Sequence, residues 1–190
     1  MSRPGICRNC WNTCGVQRPE IVLPAGTIMV KTGLPPIEGE DATVLILGTF
    51  PGEQSLAERQ YYAHPRNIFW DMMERVCGAG RQHSYGQRCE ILISSRIAVW
   101  DVLYSCEREG SSDARIRQAI ANDFTTFFLQ HQCRTVFFNG NSAHRLFTKH
   151  VDPDCPGIKE LIVFPSTSPA NAGISVQEKR LRWNSITGHI

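Results

Sequence analysis

The chain has 190 residues, 42% apolar and 20% charged, with a formal net charge of +2. That length gives one domain with room for a real core, and the composition excludes a wholly disordered protein. No apolar run approaches about 18 residues, so no membrane span is expected. The near-neutral charge excludes a basic tail but allows a local patch for an anionic partner.

Residues 1–28 differ from the rest. They carry Cys7, Cys10 and Cys14, three prolines and no clear period. MSRPGICRNCWNTCG lacks the apolar stretch of a secretory signal. Cys7-x-x-Cys10-x-x-x-Cys14 is half of a metal-ligand spacing, but no matching pair follows. The expectation is a leader without a bound metal, ahead of a domain over residues 29–190. The other five of the eight cysteines are scattered singly, as reduced thiols of a cytoplasmic protein would be.

After an extended lead-in, TVLILG (43–48) reads as a buried strand. PRNIFWDMMERVCG (65–78) places Ile68, Phe69, Met72, Met73 and Val76 on one helical face, with Gly78 as the stop. IAVWDVL (97–103) is a second strand. SDARIRQAIANDFTTFFLQHQ (112–132) carries Ile116, Ile120, Phe124, Phe127 and Phe128 at helical spacing behind a Ser or Asp cap. TVFFNG (135–140) is a strand, and the helix NSAHRLFTKHV (141–151) follows directly. ELIVFPS (160–166) is the last strand. SVQEKRLRWNSI (175–186) opens with Ser-x-x-Glu, a capping box. Alternation of strands and helices implies a parallel sheet with right-handed crossovers and helices on both faces.

In such sheets the site lies outside the carboxyl ends of the strands. GTFPGEQS, WDVLYSCER, NGNSAH and PSTSPANAG fall there, and all are rich in turn-forming and polar residues. GTFPG, then YYAHPRNIFW, then PSTSPANAG, each in order at a strand end, resemble the uracil-DNA glycosylase superfamily. From about residue 30 to 187 the chain is similar to its hypoxanthine (deoxyinosine) branch, with WDVLYSCEREGSSD, ANDFTTFF and FFNG in the same likeness.

The resemblance implies an α/β/α sandwich around a four-stranded parallel sheet. It implies a monofunctional enzyme, a monomer without a cofactor, that flips a deaminated base out of DNA and hydrolyses its N-glycosidic bond. Many relatives place an Asp or Asn at the position of Phe50 to orient water. Phe50 cannot, so Asn67 becomes the catalytic candidate, although Asn is also a good helix cap. Gly52 stands where uracil-specific relatives carry a Tyr, and leaves space for a purine or simply serves the turn. Tyr62 matches an aromatic that stacks on the flipped base, or fills the core. Asp101 stands where uracil-reading relatives have an Asn. A carboxylate there accepts from the hypoxanthine N1–H, or else forms an ion pair, for instance with Arg108.

Asn139 adds a polar contact to the base, and Asn141 caps its helix. Ser166 replaces a His or Asn that stabilises the departing base. Ser55, His64, Arg66 and Ser168 are candidate DNA contacts. Ala170 stands at the wedge position, with Asn171 or Ile174 as possible aids. The four lysines at 31, 149, 159 and 179 lie outside these loops, which argues against a Schiff-base route. Two alternatives stay open: excision of uracil or a mismatched base, and a binding module of this fold with weak chemistry.

Overall fold

The computed structural model describes residues 30–152, 155 and 157–190. Cys7, Cys10 and Cys14, and the expectation of a leader over residues 1–28, lie outside the described residues.

Strands β2 (Val44–Gly48), β3 (Ile97–Asp101), β6 (Thr135–Asn139) and β7 (Glu160–Phe164) form one parallel sheet in the order β3-β2-β6-β7. Side chains alternate across it. Val44, Ile46, Ile97, Val99 and Phe137 pack on one face with Trp70, Trp183 and Ile186. Leu45, Leu47, Ala98, Val136 and Phe138 pack on the other with Phe124, Phe127 and Phe147. A strand buried on both faces has no polar side, which is why these runs read as continuously apolar.

The helices divide accordingly. Helix α2 (Phe69–Cys77) contributes Trp70 to the first layer, and α6 (Val176–Trp183) contributes Trp183. Helices α4 (Phe124–Gln130) and α5 (Asn141–His150) cover the second. The result is the expected three-layer sandwich. Gly78 ends α2 at φ +84°, its N–H bonding Glu74 O while Ala79 N bonds Met73 O. This left-handed cap is cheapest for glycine. Among the described residues there are also the one-turn-and-a-half helix α1 (Glu53–Glu58) and the longer α3 (Tyr85–Ser94). Helix α3 starts with a reciprocal Ser84–Gln87 capping box.

Four expectations are corrected. The helix expected over 112–132 is a 3-10 turn (Asp113–Arg115), strand β5 (Arg117–Ala121) and only then α4. Asp123 starts α4, its carboxylate accepting from Thr126 N at 3.0 Å. The second strand does not run straight through 97–103. Val102 N and Leu103 N bond Gly48 O and Thr49 O, and the chain leaves the sheet as β4 (Leu103–Glu107). With β1 (Val30–Thr32) and β5 it forms an antiparallel sheet in the order β1-β4-β5. Asn141 is the first residue of α5 rather than its cap, which is Gly140. At Ser175 half of the capping box forms: Ser175 Oγ accepts from Glu178 N, while the Glu178 carboxylate pairs with Arg182 at 2.6 Å.

Candidate active site

In register, Gly48 lies beside Asp101, and Asn139 beside Phe164, at the carboxyl end of the parallel sheet. The Asp101 carboxyl folds across Gly48. A Cβ there would sit 2.2 Å from Asp101 Oδ1 and 3.0 Å from Tyr62 Oη, so only glycine fits. Asp101 is 4% exposed. Among the described residues its Oδ2 and the buried Tyr62 hydroxyl have no partner in good hydrogen-bond geometry, although the Asn139 amide is near enough to the hydroxyl to favour its ionised form. Burial pushes the Asp101 carboxyl up to about 8, with Asp113 adding and Arg108 opposing. The Tyr62 hydroxyl is also raised by burial, then by Asp101. The Tyr62 ring stacks on Phe69 with centroids 3.8 Å apart, and its backbone takes φ +53°.

Arg108 does not pair with Asp101. It is 2% exposed and lies under the first loop. Its guanidinium donates to Phe50 O at 3.4 Å and to Pro51 O, stands 4.9 Å from the Phe50 ring, and meets Asp113 Oδ1 at 3.8 Å. The Phe50 ring is buried in the core on the α4–α5 side. It therefore anchors the loop from below. Gly52 takes ordinary extended backbone at the start of α1. A Cβ there would meet only Ser111, at 3.4 Å. Ser55 is buried with its Oγ accepting from Ala63 N at 3.2 Å, so its hydroxyl is turned inward and positions the next loop.

That next loop carries Asn67. Its Oδ1 accepts from Phe69 N at 3.0 Å, which satisfies one free donor of the helix start. Its Nδ2 bonds nothing among the described residues. His64 Nδ1 accepts from Arg66 N at 3.1 Å, and the exposed Arg66 side chain has no ion pair among the described residues. Arg81 bonds Asn67 O at 2.6 Å and His64 O at 3.4 Å. Ile68 N donates to Thr167 O at 3.2 Å, stitching this loop to the last one.

The last loop is closed on itself. Asn139 uses both amide atoms on Thr167: Nδ2 donates to Oγ1 at 2.9 Å, and Oδ1 accepts from Thr167 N at 2.8 Å. Ser166 packs over Gly140, where φ is +103° and a Cβ would come within 2.8 Å of Ser166 Cβ. Ser166 Oγ accepts from Ser168 N, Ser168 Oγ from Ala170 N, and Ser166 O from Asn171 Nδ2. Ala170 is exposed.

Three positioning residues lay outside the sequence argument: Arg81, Thr167 and Lys179. Lys179 is 4% exposed, and its amine reaches Asn171 O at 2.6 Å. Lys179 lies on α6, outside the loop, and its amine reaches back to the loop's end. Burial lowers its pKa. No signal within a short window marks such long-range clamps.

Among the described residues no group of three His, Cys, Asp or Glu is placed to hold a metal, and no helix is long and apolar enough to cross a membrane. What the site offers is an aromatic plate, an unpartnered acid and hydroxyl beside a glycine, an amide at a helix start, and a rigid serine-rich loop.

The family model of the uracil DNA glycosylase superfamily matches residues 35–186. A hypoxanthine DNA glycosylase of Methanosarcina acetivorans is 32% identical over 164 residues, 85% of this chain and all of that protein. Another of the same name from Methanosarcina barkeri is 36% identical over 117 residues, 60% of this chain and 74% of that protein. A solution structure from M. acetivorans, described as a candidate uracil DNA glycosylase, superposes with a TM-score of 0.70 at 31% identity. It covers 85% of this chain and 98% of that one.

Proposed function

The chain belongs to the uracil DNA glycosylase superfamily, and from that premise we propose that it hydrolyses the N-glycosidic bond of deoxyinosine in DNA, releasing hypoxanthine for base excision repair. The observation that carries the choice of base is the unpartnered pair at Gly48. Buried polar atoms without partners cost about 1–3 kcal/mol each and call for a ligand. Asp101, neutral below about 8, offers one O–H donor and one carbonyl acceptor. Hypoxanthine presents the complement along one edge, an N1–H beside O6. The reading thus changes from a carboxylate that only accepts to an acid that does both.

The geometry supports the remaining roles of this reading. The Tyr62 ring is the stacking plate for the flipped base, and Gly52 leaves room for the second ring of a purine. Asn67 keeps a free Nδ2 and a second lone pair on Oδ1 with which to hold the attacking water at the sugar C1′. As the bond to N9 stretches, electrons move onto the base. Ser166 Oγ accepts from Ser168 N and retains its own proton to donate there. Lys179 is held on a carbonyl, so water and not an amine attacks C1′. Arg66, His64 and the Ser168–Asn171 turn supply contacts to the DNA backbone. The enzyme acts as a monomer, in the cytoplasm, on DNA containing deaminated bases.

Uracil shows the same lactam edge and is the competing substrate. Single-turnover assays on oligonucleotides carrying deoxyinosine, deoxyuridine or deoxyxanthosine, with alkaline cleavage of abasic products, decide between them. Deoxyinosine should react fastest. Faster uracil release would reassign the base. DNA binding without any abasic product would leave a binding module.

A further inference from the structure

A second feature lies away from the strand-end loops. Between β5 and α5 runs a groove of about 410 Å³. Arg145 and Lys149 line it from α5, one helical turn apart, and Arg117 faces them from β5, with His150 at the far end. None of the three long cations forms an ion pair among the described residues, and all three are exposed. The acid at its head, Asp113, is already turned to Arg108 at 3.8 Å. Gln118 lines the groove from a left-handed backbone, φ +45°, a costly conformation in a strand. Asp113 also acts on Arg145, and Arg117 stands opposite Glu107 across the β4–β5 ladder, but with Arg108 beside Asp113 the cations still outnumber these acids, and the excess positive charge is open to an anion.

We propose that this groove binds the phosphodiester backbone of a single-stranded DNA flank, extending the substrate contact beyond the flipped nucleotide. The proposal rests on the glycosylase reading. Its position fits: α5 leaves the carboxyl end of β6 beside the loop of Ser166 and returns along the sheet for about 15 Å. A strand leaving the lesion pocket can follow it down the side of the molecule. Its volume is on the scale of a small-ligand cleft, room for the phosphate and sugar of a nucleotide. No Phe, Tyr or Trp lines it, so bases find no stacking platform and the backbone alone is held, without sequence preference.

The test compares a blunt deoxyinosine duplex with the same duplex bearing a short single-stranded tail, by fluorescence anisotropy across a salt series and by single-turnover excision. The tail should tighten binding about tenfold at low salt, a factor worth about 1.4 kcal/mol. The double variant Arg145→Gln/Lys149→Gln should lose that gain and reduce the log–log salt slope on tailed DNA by about 1.4. Its excision of the blunt duplex should match the parent. Circular dichroism shows whether the variant is folded, and an Arg117→Gln variant repeats the measurement from the opposite wall. The proposal is overturned if the tail adds no affinity, if the variants lose blunt and tailed binding equally, or if polyglutamate at matched ionic strength competes as well as the tail. Tail-dependent binding without excision of any base would sink the glycosylase reading and leave the groove standing. Excision of deoxyinosine with no tail-dependent affinity would sink the groove alone.

Discussion

The two halves of the strand-end site are built on opposite rules. Beside β2 and β3 the buried Asp101 Oδ2 and Tyr62 hydroxyl lack well-aligned partners among the described residues, next to a glycine that nothing else could replace. At β6 and β7 Asn139, Thr167, Ser166 and Asn171 bond one another. Hydrogen-bonding capacity is satisfied internally where the loop is closed and left open where, on the proposed function, a base edge would be read. Asn67 bridges them: its loop stacks Phe69 under Tyr62 on one side and bonds Thr167 through Ile68 on the other.

The largest expected effect is therefore at the bridge. Asn67→Ala should slow single-turnover excision about 10²–10⁴-fold, the range for losing a positioned acid–base or water-holding group. Loss of the bond to Phe69 N should cost only about 1 kcal/mol of stability. Rate and thermal melting must be taken together. A variant that melts early but keeps its rate per folded molecule makes Asn67 a cap alone.

Asn139→Ala tests the closed half. It orphans Thr167 N and costs about 2 kcal/mol, which lowers Tm by about 4–8 °C for a chain of this size. Asn139→Asp, which keeps the acceptor, should recover part of it. Unchanged melting in the alanine variant would mean that the two halves are alike.

Asp101→Asn gives the smallest change in rate and tests the open half. The amide has the shape of the neutral acid and offers a donor and an acceptor at every pH, so excision should stay within about tenfold of the parent near neutrality. The parent should lose activity as pH rises through about 8, where the acid ionises and its donor disappears. The variant should not. Stability moves in the same sense. Between the ordinary carboxylate value of 3.8 and about 8, the folded parent holds a proton that the unfolded chain has released. Its stability therefore falls as pH rises across that window and levels off above it. Melting curves of the two proteins should diverge toward high pH, with the variant the more stable. Parallel curves would show that Asp101 is ionised in the fold.

The parallel sheet was legible because runs such as Val44–Leu47 and Val136–Phe138 are apolar on both faces, a pattern that survives any context. Strand β5 was not. Ile116, Ile120 and Phe124 keep a helical spacing, yet Ile120 is 59% exposed, so its place in the apolar series was accidental. Pairing with β4 outweighed local propensity. The strand-end loops could be found by their glycines and prolines. The clamps could not: Arg108 reaches back 58 residues to Phe50, and Arg81 reaches back 14 to Asn67. Nor does sequence tell which polar atoms are left unpaired, because that depends on what is absent around Asp101 once the chain has closed.

The backbone of Tyr62 sets a limit on drift at that position. A left-handed φ of +53° disfavours a bulky side chain by about 1 kcal/mol relative to glycine, so mutation toward Gly or Asn relaxes the chain locally. Every such step also removes the ring that lies 3.8 Å over Phe69. That ring packs against the core, and truncating a packed aromatic costs about 3 kcal/mol or more, so the strain is outweighed and selection for thermal robustness keeps an aromatic at residue 62 whatever the copy's activity. A glycine or asparagine there in a diverged copy would therefore mark a repacked core beneath the loop before it marked a lost function.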